Sequence, residues 1–387
     1  MTASTERHAP GTPAEQHSRE RWRETMEQAQ REALPEVSTV ASCSAALGAG
    51  GLGRHLQELA LTLEGRGQLK ACICGSTPAS ELPPASRHRT APSLATLMRV
   101  SRVPTSPGVR MRLLMAQFDA FAARRLPAAE HLIAFNCQAL AQQRAARSAR
   151  YDSISLVSAN SHMARVIRQH EIARRRYPLE GSWATRMLER NRAEYDGADR
   201  IYVASRYIRE SFLEEGVPNE KLVDFPLTPD PRYRPTHATE QADRFEIVYV
   251  GSLHVHKGVP LLVDAVRRLR GLDLSLRLVG GWGTPGMRRF IEAACAEDVR
   301  ITAAPGDPLR HLTRASVCVH PAYEDGFAYA PAEALAAGVP VLVSEDTGMK
   351  DMIDHGRNGL ILPTGDLDAL TEALHAAYRG ELGLNGR

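Results

Sequence analysis

Residues 320–341 read HPAYEDGFAYAPAEALAAGVPV, and this stretch decides the fold class. The apolar run over 316–320 is typical of a short buried strand, and a loop with two adjacent carboxylates and a glycine follows it. Pro331 then suits the start of a helix that Gly338 ends. A loop that leads into a helix N-terminus offers unpaired backbone N–H groups and the positive end of the helix dipole to an anion. Acidic side chains at the same point indicate a ligand that also carries hydroxyl groups, and a sugar nucleotide has both features.

Short apolar runs alternate with helical patterns from residue 37 onward, which is typical of parallel sheets with crossover helices. The predicted strands are 37–44, 69–75, 131–135, 153–157 and 200–204 in the first half, and 246–250, 275–279, 299–302, 316–320, 339–343 and 360–362 in the second. Between the two series, residues 224–242 are rich in proline and lack periodicity, as a linker would be. The predicted fold class is therefore α/β, with two Rossmann-like doubly wound domains that face each other across a ligand-binding cleft.

The predicted boundaries follow from the same pattern. Residues 1–35 form an N-terminal extension, with a tail to about residue 13 and a charged helix over 14–34. Residues 36–225 form the first domain, 226–242 the linker and 243–387 the second domain. The helix of the extension has only a narrow apolar stripe, so we expect that stripe to dock on the body of the protein. The stripe consists of Trp22, Met26, Ala29, Ala33 and Leu34.

The composition is that of a soluble globular protein, with 387 residues, 43% hydrophobic and 24% charged. The net charge of +3 is too small to indicate a nucleic-acid partner. The six cysteines lie mostly in apolar, strand-like runs without metal-ligand spacing, which favours reduced core residues. No apolar run approaches the roughly 20 residues of a membrane span, and the N-terminus lacks the apolar core of a signal peptide. We therefore expect a cytoplasmic protein.

A glycine-rich motif follows the first predicted strand. Gly48, Gly50 and Gly53 fit the GxGxxG pattern of dinucleotide-binding folds. That fold also needs an acidic residue at the end of the second strand to hold the ribose, but the next acid here is Glu81, beyond a proline. The nicotinamide interpretation therefore loses its second element. Two interpretations remain, a backbone approach to a phosphate at a helix N-terminus and a tight structural turn.

Residues 251–258, GSLHVHKG, connect a predicted strand to a helix over 260–270. Lys257 would lie at the unfavourable end of that helix dipole, and a bound diphosphate would reverse the sign of the effect. Taken singly, an exposed lysine is usually only solvated, Glu333 can be a residue that compensates a helix dipole, and Glu324 and Asp325 can be ordinary loop acids. Three strand–loop–helix anion sites in one chain are harder to explain in that way.

In this order the motifs resemble the family 4 glycosyltransferases of the two-Rossmann-domain type, called GT-B. The matching features run from residues 50–54 through 250–258 to Asp325-x7-Glu333 and the GVPV of 338–341, and residues 346–359 resemble the closing segment of the family. The resemblance covers most of the chain. It implies a retaining glycosyltransferase of hexosyltransferase type, with an N-terminal acceptor domain and a C-terminal nucleotide-sugar donor domain. It also implies that no cofactor and no metal is required.

The resemblance assigns roles by position. Glu333 is expected to bind the ribose hydroxyls, Asp325 the sugar hydroxyls, and Lys257 the departing diphosphate. His162 aligns loosely with a family histidine near the donor sugar, although a lone histidine is more often structural. The other positions expected to contact the donor are Gly51, Gly53, Arg54, Gly251, Ser252, Gly326, Phe327 and Ala328.

Three features depart from the family pattern or match another one. The family usually has Glu where Asp325 stands, so this carboxylate would sit ~1.5 Å back unless Glu324 reaches in instead. Ser252 replaces a common arginine, which leaves Lys257, with Arg54, to neutralise the diphosphate. Residues 366–368 match a metal-binding DxD in letters only, and we predict that Asp366 caps a helix.

The acceptor stays open at this stage. Residues 78–125 combine many arginines with a partly apolar helix over 111–126, which fits a lipid-linked or membrane-surface acceptor and a peripheral position on the inner face of the membrane. A solvated surface helix explains the same pattern equally well. Two rival functions also stay open, a sugar-nucleotide epimerase on the same fold and a degenerate sugar-nucleotide-binding partner subunit. The nucleotide base, the sugar, the linkage and the oligomeric state are not specified by the sequence.

Overall fold

The computed structural model describes residues 13–76, 87–89, 107–234 and 244–384, and the side chains within 23–76, 108–234 and 244–384. The chain divides into two compact units. The first unit comprises Gln28–Leu227 together with the short segment Glu324–Ala328. The second unit is built mainly from Thr228–Tyr323 and Tyr329–Arg387.

The first unit contains a seven-stranded parallel sheet in the order β3-β2-β1-β4-β5-β6-β7. Its strands are β1 (Thr39–Ala46), β2 (Leu69–Ser76), β3 (Arg87–Arg89), β4 (His131–Phe135), β5 (Ser153–Ser158), β6 (Arg200–Val203) and β7 (Leu222–Asp224). The helices of this part of the chain are α1 (Pro13–Ala33), α2 (Gly50–Gly65), α3 (Pro107–Ala123), α4 (Leu140–Ser148), α5 (Met163–Arg176), α6 (Leu188–Gly197) and α7 (Arg206–Glu214).

The second unit contains a six-stranded parallel sheet in the order β10-β9-β8-β11-β12-β13. Its strands are β8 (Phe245–Val250), β9 (Leu274–Val279), β10 (Ile301–Ala304), β11 (Val317–His320), β12 (Val341–Ser344) and β13 (Gly359–Leu362). Its helices are α8 (Val259–Arg268), α9 (Pro285–Glu297), α10 (Pro308–Leu312), α11 (Tyr329–Ala336) and α12 (Leu367–Tyr378).

The central strands are apolar on both faces because helices cover both sides of a parallel sheet. Every residue of β4 and of β11 is buried. In each sheet the strand order reverses beside the first strand of its series, between β1 and β4 in the first unit and between β8 and β11 in the second. Ligands of doubly wound folds bind outside the carboxyl ends of the strands at such a switch point. The loops that follow these four strands are therefore where a site is expected.

All eleven predicted strands are present, with each end within two residues of its predicted position. The sequence missed β3 and β7, which lie at the two edges of the first sheet and have three residues each. Their shortness explains the omission, since three residues are too few to show a periodic pattern. The predicted helix over 111–126 is also present, but as α3 it begins four residues earlier.

The helix that contains Glu333 begins earlier than predicted. It starts at Tyr329, so Pro331 is its third residue and Glu333 its fifth. Proline is tolerated there because N–H groups in the first turn have no partner within the helix. The helix ends at Ala336, and Gly338 follows with φ of 83°. The prediction that this glycine ends the helix is confirmed.

The predicted helix of the N-terminal extension is confirmed as α1, and its C-terminal end docks on the first unit. Leu34 is buried, and Gln30 is buried while its side-chain amide donates to the carbonyl of Pro226 at 2.7 Å. The hydroxyl of Tyr202 donates to the carbonyl of Ala33 at 3.1 Å. The docking that was expected of the apolar stripe is therefore made, at this end of the helix, by buried Leu34 together with two hydrogen bonds. The side chain of Trp22 lies outside the described ones.

Candidate functional site

The glycine-rich turn of the first unit connects β1 to α2. Gly48 and Gly50 adopt positive φ angles of 76° and 61°, which glycine accepts at little cost. A β-carbon at Gly53 would overlap the carbonyl oxygen of Ala46, so this glycine lets the helix approach the strand closely. Gly51 is exposed in the first turn of α2, followed by half-buried Arg54. Among the described side chains none caps this helix N-terminus, which leaves it suited to an anion.

The neighbouring helix N-terminus, that of α4, is occupied by the protein's own carboxylates. Glu194 accepts the backbone N–H groups of Cys137 and Ala139 at 2.6 and 2.9 Å. Asp119 accepts those of Ala141 and Gln142 at 2.8 and 3.0 Å. Arg190 pairs with both acids, so the negative charges are neutralised where they are buried. At the switch point of the first unit, α2 is therefore the helix end left for a ligand.

In the second unit, the loops after β8 and β11 meet at the switch point. Val255–Lys257 forms a turn of 3-10 helix, and Gly258 follows with φ of 71°. A β-carbon at Gly258 would overlap the carbonyl oxygen of Pro321, and the N–H of Tyr323 donates to the carbonyl of His256 at 2.8 Å. Lys257 lies between these two contacts in the chain, so its backbone is fixed at the carboxyl end of the sheet.

Gly251 and Ser252 begin the same loop. Gly251 has φ of 147°, and its N–H donates to the carbonyl of Val279 at 3.0 Å. The hydroxyl of Tyr249 donates to the carbonyl of Ser252 at 2.9 Å, and the serine itself is exposed. Both residues therefore hold the turn through their backbones. The structure leaves the expected donor-binding role of the Ser252 side chain as a prediction.

Glu333 is buried on α11, with 3% of its surface exposed. It lies near Cys318 of β11. Burial raises the pKa of that thiol to about 12, and the negative charge of Glu333 adds to the effect. A carboxylate held in such a dry position at the switch point is suited to accepting hydroxyl groups. Its assignment to the ribose stays a prediction.

The segment Glu324–Ala328 carries the two adjacent acids. Glu324 is completely buried, and its carboxylate accepts the N–H and the hydroxyl of Ser161 at 3.0 and 2.9 Å and the amide of Asn160 at 3.3 Å. The hydroxyl of Ser205 donates to the carbonyl of Gly326 at 2.7 Å. Both oxygens of Glu324 are thus engaged by protein donors. This geometry favours Asp325 over Glu324 as the acid that meets a ligand.

Phe327 and Ala328 complete that segment and are both buried. Ala328 has φ of 64°, in the left-handed region that a residue with a β-carbon rarely adopts. Sequence reasoning missed this strain, because an alanine carries no signal for a left-handed backbone.

His162 caps the N-terminus of α5, since its Nδ1 accepts the N–H of Ala164 at 3.3 Å. Its ring packs against those of Tyr195 and Phe212, with centroids 4.8 and 5.1 Å away. Burial lowers the pKa of the imidazole, and the nearby carboxylate of Glu215 opposes the shift. These contacts give His162 a structural task, and a role in catalysis stays a prediction.

The Asp366 prediction is confirmed. Its carboxylate accepts the N–H groups of Asp368 and Ala369, both at 2.9 Å, at the start of α12. Asp368 pairs with Arg268. The acids of this DxD sequence therefore serve helix α12 and its packing.

Comparisons with known proteins agree with this arrangement. Residues 244–379 match the family model described as "Glycosyl transferases group 1". The chain is 27% identical over 155 residues to the capsular polysaccharide biosynthesis glycosyltransferase CapM of Staphylococcus aureus. That alignment covers 38% of this chain and 41% of that protein. It is 44% identical over 57 residues to the GDP-mannose:glycolipid 4-beta-D-mannosyltransferase of Xanthomonas campestris pv. campestris. That alignment covers 15% of this chain and 16% of that protein. The chain thus spans less than half the length of these two relatives.

The fold is similar to that of sucrose-phosphate synthase from Thermosynechococcus elongatus, with a TM-score of 0.68, 21% identity and coverage of 90% of this chain and 93% of that one. Two Rossmann-like units and this likeness define the fold class, GT-B. In the second unit, residues 244–379 resemble the group 1 glycosyltransferases, in agreement with the motifs found in that stretch. None of the helices in the described residues has the length and apolar character needed to cross a bilayer.

Proposed function

We propose that the protein is a retaining, metal-independent hexosyltransferase that moves a sugar from a nucleotide-diphosphate sugar to an acceptor in carbohydrate assembly. The observation that carries the proposal is the meeting of the β8 and β11 loops at the switch point of the second unit. It fixes the backbone of Lys257 beside a loop that leads into the helix of Glu333. Both residues lie within the segment that matches the glycosyltransferase family.

The proposed reaction breaks the bond between the anomeric carbon and the diphosphate oxygen. Negative charge grows on that oxygen as the sugar acquires oxocarbenium character, and Lys257 is assigned to stabilise it. The backbone amides of Gly326, Phe327 and Ala328, and those of Gly51 and Gly53 at the start of α2, are assigned to the sugar and the diphosphate. The acceptor hydroxyl then bonds to the anomeric carbon on the same face, and its proton passes to the departing phosphate oxygen.

Asp325 and Glu333 fix the donor. Asp325 is assigned to the sugar hydroxyls and Glu333 to the ribose, because carboxylates are strong acceptors for hydroxyl groups. Arg54, in the first turns of α2, is assigned a second positive charge for the diphosphate, because Ser252 offers none on the loop after β8. We propose that these protein charges replace a metal ion at the diphosphate.

The acceptor is proposed to be a glycan, a glycolipid or a natural product. A glycolipid is named as acceptor for the Xanthomonas relative. Helix α3, with exposed Arg110, Arg112 and Leu113, fits an acceptor held at an anionic membrane surface, and a cytoplasmic position follows from the same proposal.

A thermal-shift panel of UDP-, GDP- and ADP-sugars tests the proposal. A ligand at 100 times its Kd should add about 2.7 kcal/mol to the stability of the folded protein. We expect one nucleotide class to raise the melting temperature, and none doing so would refute the proposal. Release of a changed nucleotide sugar without an acceptor would favour an epimerase. Binding without turnover in any acceptor screen would favour a degenerate partner subunit.

A further inference from the structure

The segment Glu324–Ala328 is held at two points by the first unit. At its start, the Glu324 carboxylate accepts three hydrogen bonds from Ser161 and Asn160. In its middle, the carbonyl of Gly326 accepts the hydroxyl of Ser205 at 2.7 Å. A β-carbon at Gly326 would also overlap the carbonyl oxygen of Ala159, so backbone packs directly on backbone there. These contacts fix the segment on both sides of Asp325.

The surface that receives Glu324 is itself rigid. The hydroxyl of Ser158 donates to the carbonyl of Asn160 at 2.8 Å, and the N–H of His162 donates to the hydroxyl of Ser211 at 2.8 Å. Ser161 is completely buried between these contacts, directly before the helix cap at His162. A buried carboxylate is costly unless its hydrogen bonds are satisfied, and three donors from a fixed loop satisfy this one.

The far end of the segment is strained. Ala328 has φ of 64° although glycine would adopt this conformation more cheaply. Such strain persists only where the surrounding structure over-determines the backbone. The sign of φ also decides where the neighbouring peptide groups point, and those groups are the proposed donor contacts.

We propose that Glu324 is a positioning residue for the donor loop. Its carboxylate, bound by Ser161 and Asn160, holds residues 325–328 in the strained conformation that presents Asp325 and the backbone amides to the nucleotide sugar. The identity of the ligand rests on the proposed function. The anchor rests only on the hydrogen bonds of Glu324 to Ser161 and Asn160. Glu324 itself makes no contact with the donor.

Two measurements test the anchor. Both compare three variants, Glu324→Ala, Glu324→Gln and Ser161→Ala, with a control. The control is Glu220→Ala, at an exposed glutamate of the first unit. The first is hydrogen exchange at residues 325–329 in the free protein. It should accelerate in Glu324→Ala, less in Ser161→Ala, and little in Glu324→Gln, whose amide oxygen still accepts from Ser161. Unchanged exchange in Glu324→Ala would overturn the anchor, whatever the donor assay shows. Ser161→Ala keeps the test valid if Glu324→Ala does not fold.

The second measurement is the Kd of the donor found in the panel. Glu324→Ala should weaken it by about 5- to 30-fold, the ratio that corresponds to the cost of a left-handed conformation for a residue with a β-carbon. Ala328→Gly should restore part of that loss in the Glu324→Ala background, where its effect on the Kd should differ from its effect in the wild type, because glycine needs no anchor to adopt this φ. Simple additivity of the two substitutions would overturn the link between anchor and strain. Failure of the wild type to bind any donor would refute the proposed function, while the exchange data still decide the anchor.

Discussion

The imidazole of His55 is buried between two aromatic rings, with centroids 5.1 Å from Phe135 and 5.8 Å from Phe225. Among the described residues none hydrogen-bonds its Nε2. Burial lowers the pKa of this imidazole to about 3, from 6.5. The folded protein therefore holds the neutral form. The associated stability is present above pH 6.5 and is lost progressively as the pH falls towards 3.

His55→Phe should remove this pH dependence while keeping an aromatic ring in the same place. Between pH 7.5 and pH 5.5 the free energy of unfolding of the wild type should fall by about 1.4 kcal/mol more than that of His55→Phe. Urea unfolding at the two pH values measures the difference, and all other titrating groups cancel. Equal losses in the two proteins would show that His55 is not held neutral.

Asp325 and Glu333 should differ in the part of the donor that they recognise. Asp325→Ala should weaken binding of the intact nucleotide sugar and leave the Kd of the free nucleoside diphosphate nearly unchanged, since Asp325 is assigned to the sugar. Glu333→Ala should weaken both, since it is assigned to the ribose. Calorimetric titrations of both ligands measure this, with exposed Asp273→Ala as the control. The reverse pattern would exchange the two assignments.

At the scale of elements, α1 is bound to the first unit near its C-terminal end. The contacts of Gln30, Ala33 and Leu34 lie in the last turn and just after it, and the guanidinium of Arg66 adds a hydrogen bond to the carbonyl of Arg31 at 2.8 Å. Deletion of residues 1–34 removes these contacts, whereas deletion of residues 1–22 leaves them in place.

The longer deletion should lower the melting temperature by several degrees, as a loss of ~1–2 kcal/mol would in a domain of this size. The shorter deletion should leave it within about a degree. Differential scanning calorimetry of the two truncated proteins compares them directly. If both melt like the full chain, the docked turn contributes nothing to stability.

The strands were predictable because their signal is local. Buried parallel strands such as β4 and β11 are continuous apolar runs, and the glycines at 53 and 258 stand where helix or loop backbone approaches another strand or loop. The edge strands β3 and β7 were missed because three residues carry no period. The cap at Asp366 was predictable for the same local reason, since its partners are two and three residues ahead.

The anchoring of Glu324 could not be predicted from the sequence. Its partners lie 163 and 164 positions away, and a glutamate beside an aspartate in a loop looks like a solvated acid. The same holds for Glu194 and Asp119, which close the α4 terminus from two other helices. Contacts of this kind depend on the packing of distant elements. The sequence therefore identified the motifs of the candidate site but not the residues that support them.

At the scale of the whole molecule, the proposed chemistry relies on protein charges rather than a metal ion. Donor turnover should therefore be unchanged, within about twofold, after dialysis against EDTA, because Lys257 and backbone amides are assigned the role that a divalent cation would have at the diphosphate. The rate of nucleoside diphosphate release measures this turnover, and the assay is repeated with Mg²⁺ or Mn²⁺ added back to the dialysed protein. A loss that either ion restores would contradict the metal-independent assignment.

The most direct test of the central claim is the rate of nucleoside diphosphate release from the donor by Lys257→Ala. Lys70→Ala, at an exposed lysine on β2, is the matched control, and circular dichroism confirms that both variants are folded. We predict a fall of about 10²- to 10³-fold for Lys257→Ala, the loss expected when a preorganised charge is removed from the developing negative charge. Lys70→Ala should turn over like the wild type. A folded Lys257→Ala protein that releases nucleoside diphosphate at the wild-type rate would contradict the account.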